Sequence, residues 1–222
     1  MILNNIEEDL DKLRDKIGEA LEDACQWRRA AGFKQEFSTS ETWKLIRAVH
    51  EKRDWSKCIW FSQATPKYAF MMWLACLNRL STMDRIARWN RGVDTTCVLC
   101  KNALENRDHL FFECSYSLQL WESLAKGIMG SSFTNSWPEI VSIATAGAME
   151  RRKRFCFRYA FHAAMYSLWR ERNRVKHGER LTPVTLLKKL VDKGIRNKLS
   201  LLRQKGVKGM QDSIQLWFST RG

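Results

Sequence analysis

A cluster of potential metal ligands constrains this chain more than any other feature of its sequence. The four residues lie in the pattern C-x2-C-x8-H-x4-C and are Cys97, Cys100, His109 and Cys114. Three thiolates and one imidazole form the closed, tetrahedral shell of a structural zinc ion. A closed shell leaves no position for a reactive water, so the pattern favours one structural Zn²⁺ over hydrolytic chemistry. The alternative is four unrelated buried side chains, which the dense spacing argues against.

The charge of the chain points to a polyanionic partner. Its 222 residues carry a formal net charge of +14, with a sequence pI of about 9.7. An excess of this size favours nucleic acid, and less strongly a membrane surface. The alternative is a basic domain with no such partner. We expect RNA or DNA as the partner, and neither a membrane nor a small-molecule substrate.

Cysteine usage indicates a reducing compartment. Seven cysteines are an odd number, and the four outside the metal pattern lie in apolar surroundings typical of a core: Cys25, Cys58, Cys76 and Cys156. With no signal-peptide pattern, this predicts the nucleus or the cytoplasm. The longest apolar run, around Tyr68–Leu77, is too short for a membrane span.

Helical periodicity dominates the first half of the chain. Residues 5–24 place apolar side chains on a heptad seam within an acidic amphipathic helix, which either packs on the body of the protein or pairs as a coiled coil. Ser38 begins a capping box for a helix over 39–52, with Trp43, Ile46 and Val49 facing inward. Thr65 and Pro66 start a helix to about Asn78 that we expect to be the central buried element, and Thr82 caps another.

The second half of the chain is also predicted to be helical. His109 and Cys114 are five residues apart, which one regular α-helix cannot aim at one point. We therefore expect a short helix to end near Phe112, a break at Glu113–Cys114, and a new helix from Ser115 or Tyr116 to about Lys126. Residues 130–137 form a connection and a long helix spans 149–175. Thr182-Pro183 starts a last major helix to about Arg203, whose apolar face is formed by Val184, Leu187, Val191, Ile195, Leu199 and Leu202. No alternating strand pattern occurs, so the predicted fold is all-α, with a short CCHC zinc-binding loop and no extensive sheet.

Basic residues form stripes on the two C-terminal helices. The predicted nucleic-acid contacts are Arg151, Arg154, Arg158, Arg170, Arg172, Arg174 and Lys176 on the long helix, and Lys189, Lys193, Arg196 and Arg203 on the last one. Cations beside backbone phosphates add affinity that does not depend on base sequence. Each stripe alone could equally be an ordinary solvated helix face. The ten tryptophans could stack on unpaired bases, but their helical spacing beside other apolar residues favours the core.

Catalytic patterns are missing from the sequence. It contains no glycine-rich phosphate loop before a helix, no G-x-S-x-G, no H-E-x-x-H and no clustered carboxylate pair. The H-x-E and P-C-x-x-C pattern of zinc deaminases is also absent. We therefore expect a binding protein and not an enzyme.

The order of residues resembles the reverse-transcriptase zinc-binding domain of plant non-LTR (LINE-type) retrotransposons. The matching pieces are Trp27, Phe37-Ser38, Trp43, Trp60, Pro66-Lys67, Phe70-Met71-Met72-Trp73-Leu74, Asn78-Arg79-Leu80, Thr82, Asp84-Arg85, Cys97-Val98-Leu99-Cys100, His109-Leu110-Phe111-Phe112-Glu113-Cys114, Trp121, Trp169-Arg170-Glu171-Arg172-Asn173 and Leu216-Trp217-Phe218-Ser219. The block around His109 is the most specific of these.

The resemblance implies that Cys97, Cys100, His109 and Cys114 bind zinc. It also implies a module that follows a polymerase in a reading frame and helps to hold template RNA or target DNA. The expected organisation is an acidic amphipathic helix at 1–24, the zinc-binding domain at 25–130 and a basic helical extension at 131–222. This chain has no Tyr-x-Asp-Asp polymerase motif. The remaining alternative is a domesticated protein-interaction adaptor that uses the heptad helix and an aromatic surface.

Overall fold

The structure is a computed structural model, and it describes residues 11, 26–29, 32–49 and 51–221. Helices form most of this part of the chain. The predicted heptad helix at 5–24 lies outside these residues except for Asp11, and so does Cys25. The chain divides into two compact units, Met1–Glu51 and Lys52–Gly222. The boundary expected at 130/131 falls inside the second unit. Apart from two short strands and one isolated bridge, regular structure in the described residues is helical, which confirms the predicted all-α class.

The described residues of the first unit form two paired strands followed by a helix. Strand β1 (Trp27–Arg29) pairs antiparallel with β2 (Gly32–Lys34). Helix α1 spans Thr39–Ile46, and the Ser38 hydroxyl accepts a hydrogen bond from the Glu41 N–H, as the capping box predicts.

Helix α1 is shorter than the predicted helix over 39–52. It ends at Ile46 because Arg47 takes an extended conformation, and it buries none of its residues. The expectation that Trp43, Ile46 and Val49 face inward is therefore wrong. The three side chains are 59%, 71% and 87% exposed.

The second unit is built around one long helix. Its elements are α2 (Ser56–Ile59), α3 (Pro66–Cys76), α4 (Met83–Ile86), a π-helical turn (His109–Glu113), α5 (Ser115–Met129), a 3-10 turn (Gly130–Ser132), α6 (Trp137–Thr145), α7 (Arg151–Lys176), α8 (Val184–Gln204) and α9 (Ser213–Ser219). Helices α3, α5, α6, α8 and α9 all pack against α7. None of the helices in the described segments is long and apolar enough to span a membrane.

Helix α7, and not α3, is the central element. With 26 residues it is long enough to receive neighbours along its whole length, whereas α3 has 11 and leaves Phe70 55% exposed. An aromatic cluster fills the contact between α7, α5, α6 and the π-helical turn. The ring centroid of Phe112 lies 5.2 Å from Trp121, 6.0 Å from Trp137 and 5.8 Å from Phe161. The segment that carries His109 and Cys114 is thus anchored in the core.

The spacing of apolar residues in the sequence predicted α8 but not every helix. The predicted apolar face of α8 is confirmed for Leu187, Val191, Ile195, Leu199 and Leu202, which are all buried, whereas Val184 at the start of the helix is only partly buried. Helices α6 and α9 were not predicted. The signal for α6 was present, because Ser136 is its N-cap residue and Pro138 lies in its first turn.

Candidate zinc centre and basic surface

The first two ligands lie on a narrow loop. The Cys97 N–H donates to the Ala103 carbonyl at 2.8 Å, and the Glu105 N–H donates to the Thr95 carbonyl at 2.8 Å. Between these bonds the chain turns, and the Lys101 N–H donates to the Cys97 carbonyl at 2.9 Å. The turn therefore holds the thiols of Cys97 and Cys100 on one side of a two-stranded loop.

A π-helical turn brings the other two ligands together. The Cys114 N–H donates to the His109 carbonyl at 2.7 Å, and the Asn106 side chain accepts from the His109 N–H at 2.8 Å. In an α-helix, residues five apart point about 140° away from each other. The wider turn reduces that divergence, so the predicted break at Glu113–Cys114 is a change of helical pitch followed directly by α5.

The four side chains form one cluster. Their ligand atoms all lie within 4.8 Å of one another. The Sγ atoms of Cys97 and Cys114 are 4.0 Å apart, and Cys100 Sγ lies 3.3 Å from His109 Nε2. Tetrahedral zinc with Zn–S bonds of about 2.3 Å would place two sulfurs about 3.8 Å apart. Cys97 and Cys114 are fully buried, His109 is 8% exposed and Cys100 is partly buried, so the cluster fits one closed, structural zinc ion.

The position of Cys114 favours a thiolate. Its pKa is lowered to about 5, first by the hydrogen bond from the Cys97 thiol. The backbone N–H groups of Ser117 and Tyr116 at the start of α5 lower the pKa further. Because zinc binds the thiolate and not the thiol, the N-terminus of α5 prepares this ligand for the metal.

A buried ion pair holds the metal loop, residues 95–105, against α7. Glu105 is 0% and Arg172 is 2% exposed. The guanidinium Nη2 donates to Glu105 Oε1 at 2.6 Å, and Nε donates to the same oxygen at 3.0 Å. Glu105 Oε1 also accepts the Met83 N–H at 3.0 Å. The carboxylate therefore joins the metal loop, α4 and α7.

Arg172 corrects one predicted nucleic-acid contact. Its side chain is engaged inside the protein and cannot reach a phosphate. Glu105 was missed because it lies in a polar segment that has no helical or strand periodicity. Only the three-dimensional fold shows that it is buried.

Comparison with known families supports the metal assignment. Residues 37–121 match the model of the family described as zinc-binding in reverse transcriptase. All four cluster residues lie within the matched segment. The match supports a reverse-transcriptase zinc-binding domain, which is an accessory domain and not itself catalytic. Comparisons with curated proteins and with solved structures gave no match.

Six of the predicted nucleic-acid contacts are exposed side chains of α7 and α8. They are Arg151, Arg170, Lys176, Lys189, Lys193 and Arg203. In the described part of the chain, none of the six forms an ion pair with a carboxylate. Their charges are therefore available to an external anion.

The other four predicted contacts are partly buried and have partners within the protein. Arg154 donates to the carbonyls of Gly147 and Met149, and Arg158 donates to the Ala144 carbonyl at 2.6 Å. Arg174 pairs with Glu171 and Glu179, and Arg196 pairs with Asp192 at 2.7 Å. These four side chains hold helices and loops in place. Fewer of the predicted nucleic-acid contacts are therefore available to a phosphate than the sequence predicted.

The positive charge is concentrated in the C-terminal third. Residues 151–222 contain 19 Lys and Arg but only four Asp and Glu, a formal net charge of +15. All four carboxylates pair with arginines: Glu171 and Glu179 with Arg174, Asp192 with Arg196, and Asp212 with Arg152. These acidic groups are thus already paired, and the exposed cations dominate the electrostatic potential around α7 and α8.

Proposed function

We propose that this protein is a non-catalytic, zinc-stabilised module that binds nucleic acid, either RNA or target DNA, and that derives from a plant retrotransposon polyprotein. The observation that carries the proposal is the net charge of +15 over residues 151–222, whose four carboxylates are all paired. Phosphate contacts made by such a surface release counterions and give affinity for any sequence. The zinc ion has a structural part in this proposal, and the nucleus or the cytoplasm is the expected compartment.

The arrangement of α8 supports a continuous contact with a phosphate backbone. Its buried apolar face packs against α7, which leaves Lys189 and Lys193, one helical turn apart, exposed on the outer side. Arg203 lies further along the same helix and is also exposed. An extended strand could contact these cations without any change in the fold.

Binding measured at two salt concentrations tests this function. Labelled single-stranded RNA, single-stranded DNA and duplex DNA would be titrated with the protein, with fluorescence anisotropy as the signal. Replacing Lys189 and Lys193 together by Ser should weaken binding to every sequence alike. It should also reduce the slope of log affinity against log salt by about 0.7 per lost contact on single strands and about 0.9 on duplex.

A matched control makes the result specific. Lys44 and Arg47 are exposed cations of the first unit, which carries no comparable excess of positive charge. Their replacement by Ser should leave the salt slope unchanged. Binding that is undetectable at low salt, or that responds equally to both double variants, would contradict the proposal.

Exposed apolar side chains of the first unit favour a second candidate function, a protein-interaction adaptor. Phe33, Phe37, Trp43, Ile46 and Val49 are each more than half exposed. A protein partner would bury them, whereas nucleic acid would use the cations of the second unit. If no nucleic acid binds, loss of a captured protein on Trp43→Ser and Ile46→Ser would favour the adaptor.

A further inference from the structure

A pocket lined by three tyrosines lies on the second unit, between α3, α7 and α8. Its volume is about 240 Å³. Tyr68 comes from α3, and Tyr159 and Tyr166 come from α7. The ring centroid of Tyr68 lies 4.6 Å from that of Tyr166 and 6.0 Å from that of Tyr159. Tyr68 and Tyr166 are only partly buried, so their aromatic surface is accessible from this tyrosine pocket.

Small residues create the space. Ala163 of α7 and Gly194 of α8 line the tyrosine pocket. A Cβ atom at Gly194 would meet no atom within 4 Å other than its chain neighbours and the backbone of its own helix. Glycine is less favourable than alanine in the interior of a helix. The chain thus accepts an unfavourable helical residue at the point where a side chain would enter the cavity.

Cations surround the tyrosines. Lys67 Nζ lies 5.0 Å from the ring centroid of Tyr166 and 5.7 Å from that of Tyr68. Arg170 is exposed and lines the pocket, and Lys198 Nζ lies 5.7 Å from the Tyr159 ring centroid. Throughout residues 51–221, no carboxylate pairs with any of these three cations.

The one acidic group at the pocket is already engaged. Glu171 is 3% exposed. One of its oxygens accepts the Thr182 N–H at 2.7 Å, and the other pairs with Arg174 at 2.9 Å. The tyrosine pocket therefore combines aromatic faces with an excess of positive charge.

We propose that the tyrosine pocket binds one unpaired nucleobase of a single strand, with the adjoining phosphates against Lys67 and Arg170. This inference rests on the proposed function and adds to it a site and a preference for single strands. Aromatic side chains in a positively charged groove are the common means of holding single strands, because every base has a face that can stack. The volume is below that of pockets for drug-sized ligands, so it suits a single base.

Duplex DNA cannot use this site, because its bases are paired and stacked. It would contact only the exposed cations of the surface. The row of Lys189 and Lys193 on α8 lies next to Leu190 and Gly194, which line the pocket. A single strand that follows these lysines therefore passes the opening, where one base can turn inward.

Filling the cavity tests the inference without changing any charge. Gly194→Leu places a side chain in the open space and should not lower stability, because leucine favours a helix over glycine. The control is Asn197→Leu, an exposed position on the same helix that does not line the pocket. The probes are a single strand of about 12 nucleotides, as RNA and as DNA, and the DNA duplex of the same sequence.

We expect Gly194→Leu to weaken binding of the single strand by about tenfold, or about 1.4 kcal/mol, because the stacking of one base is lost. Duplex affinity should be unchanged, and Asn197→Leu should alter neither. Tyr166→Ala should weaken single-strand binding, and combining it with Gly194→Leu should add little further loss. Thermal melting of each variant verifies the fold.

The outcomes separate the two proposals. Suppose that Gly194→Leu and Tyr166→Ala bind single strands as tightly as the unchanged protein, while Lys189→Ser with Lys193→Ser weakens binding. The base-binding role of the tyrosine pocket is then overturned, and the proposed function stands. If the unchanged protein binds neither single strand nor duplex at low salt, both are overturned. Equal loss of single-strand and duplex affinity in Gly194→Leu would also overturn the pocket.

Discussion

Glu105 and Arg172 make the strongest single link between the metal loop and α7. Both side chains are buried, so removing the guanidinium would leave a carboxylate without its charged partner. Arg172→Ala should therefore lower the free energy of unfolding by about 3–5 kcal/mol. Urea denaturation gives this value. Arg170→Ala, at an exposed position nearby, should change it by about 0.5 kcal/mol or less. Equal effects of the two substitutions would mean that the ion pair does not hold the loop.

His162 should make the stability depend on pH. It is fully buried in α7, where its Nε2 lies 3.0 Å from the Cys58 carbonyl, and burial lowers its pKa to about 4. The unfolded chain takes up a proton near pH 6.5, whereas the folded protein does so only near pH 4. Stability is thus lost as the pH falls between these values, by roughly 3 kcal/mol in total.

A difference between variants isolates this effect from the titration of other groups. His162→Gln should be less sensitive than the unchanged protein to a fall from about pH 6.5 to about pH 4 in urea denaturation. The control is His177→Gln, because His177 is exposed. Parallel pH curves for the unchanged protein and His162→Gln would contradict the assignment.

At the residue scale, proximity in sequence decided what could be predicted. The four zinc ligands were predictable because their spacing is itself the chemical signal. The pairing of Glu105 with Arg172 was not, since the two residues are 67 positions apart and nothing local marks either as buried. Arg172 consequently looked like one more member of a basic stripe.

At the scale of elements, the metal-binding segment and the C-terminal helices share one core. Phe112 of the π-helical turn and Trp121 of α5 pack against Phe161 of α7. A fragment of residues 52–130 would lack α7 and expose this cluster. It should show no cooperative thermal transition, whereas residues 52–222 should melt cooperatively and keep the metal. Circular dichroism on heating distinguishes the two, and a cooperative transition in the shorter fragment would place a domain boundary at 130.

Local signals predicted the helices that carry caps or a long apolar face, such as α3 and α8. Local signals did not predict helix ends or burial where these depend on packing between elements. Helix α1 ends at Arg47 although the apolar pattern continues to Val49, and the centre of the fold is α7 although α3 is the more uniformly apolar helix. The π-helical turn is intermediate. The sequence required a departure from the α-helix between His109 and Cys114, but the form of that departure came from the structure.

The whole molecule combines a closed metal site, a large aromatic core and a strongly basic C-terminal third. Structural zinc supplies about 10–16 kcal/mol of apparent binding energy near neutral pH, which is comparable to or larger than the stability of a typical domain. The metal loop contributes two residues to the zinc site, and the turn that leads into α5 contributes the other two. Loss of zinc should therefore loosen the surface that presents the cations as well as the metal loop itself.

Metal content measured together with thermal stability is the most direct test of the structural zinc site. Elemental analysis of the purified protein should give one zinc per chain, and a chelator should sharply lower the melting temperature. Cys100→Ser should lose most of the metal, whereas Cys58→Ser, which lies outside the cluster, should keep it. A protein that contains no zinc and melts at the same temperature with and without chelator would contradict the assignment of a structural zinc site.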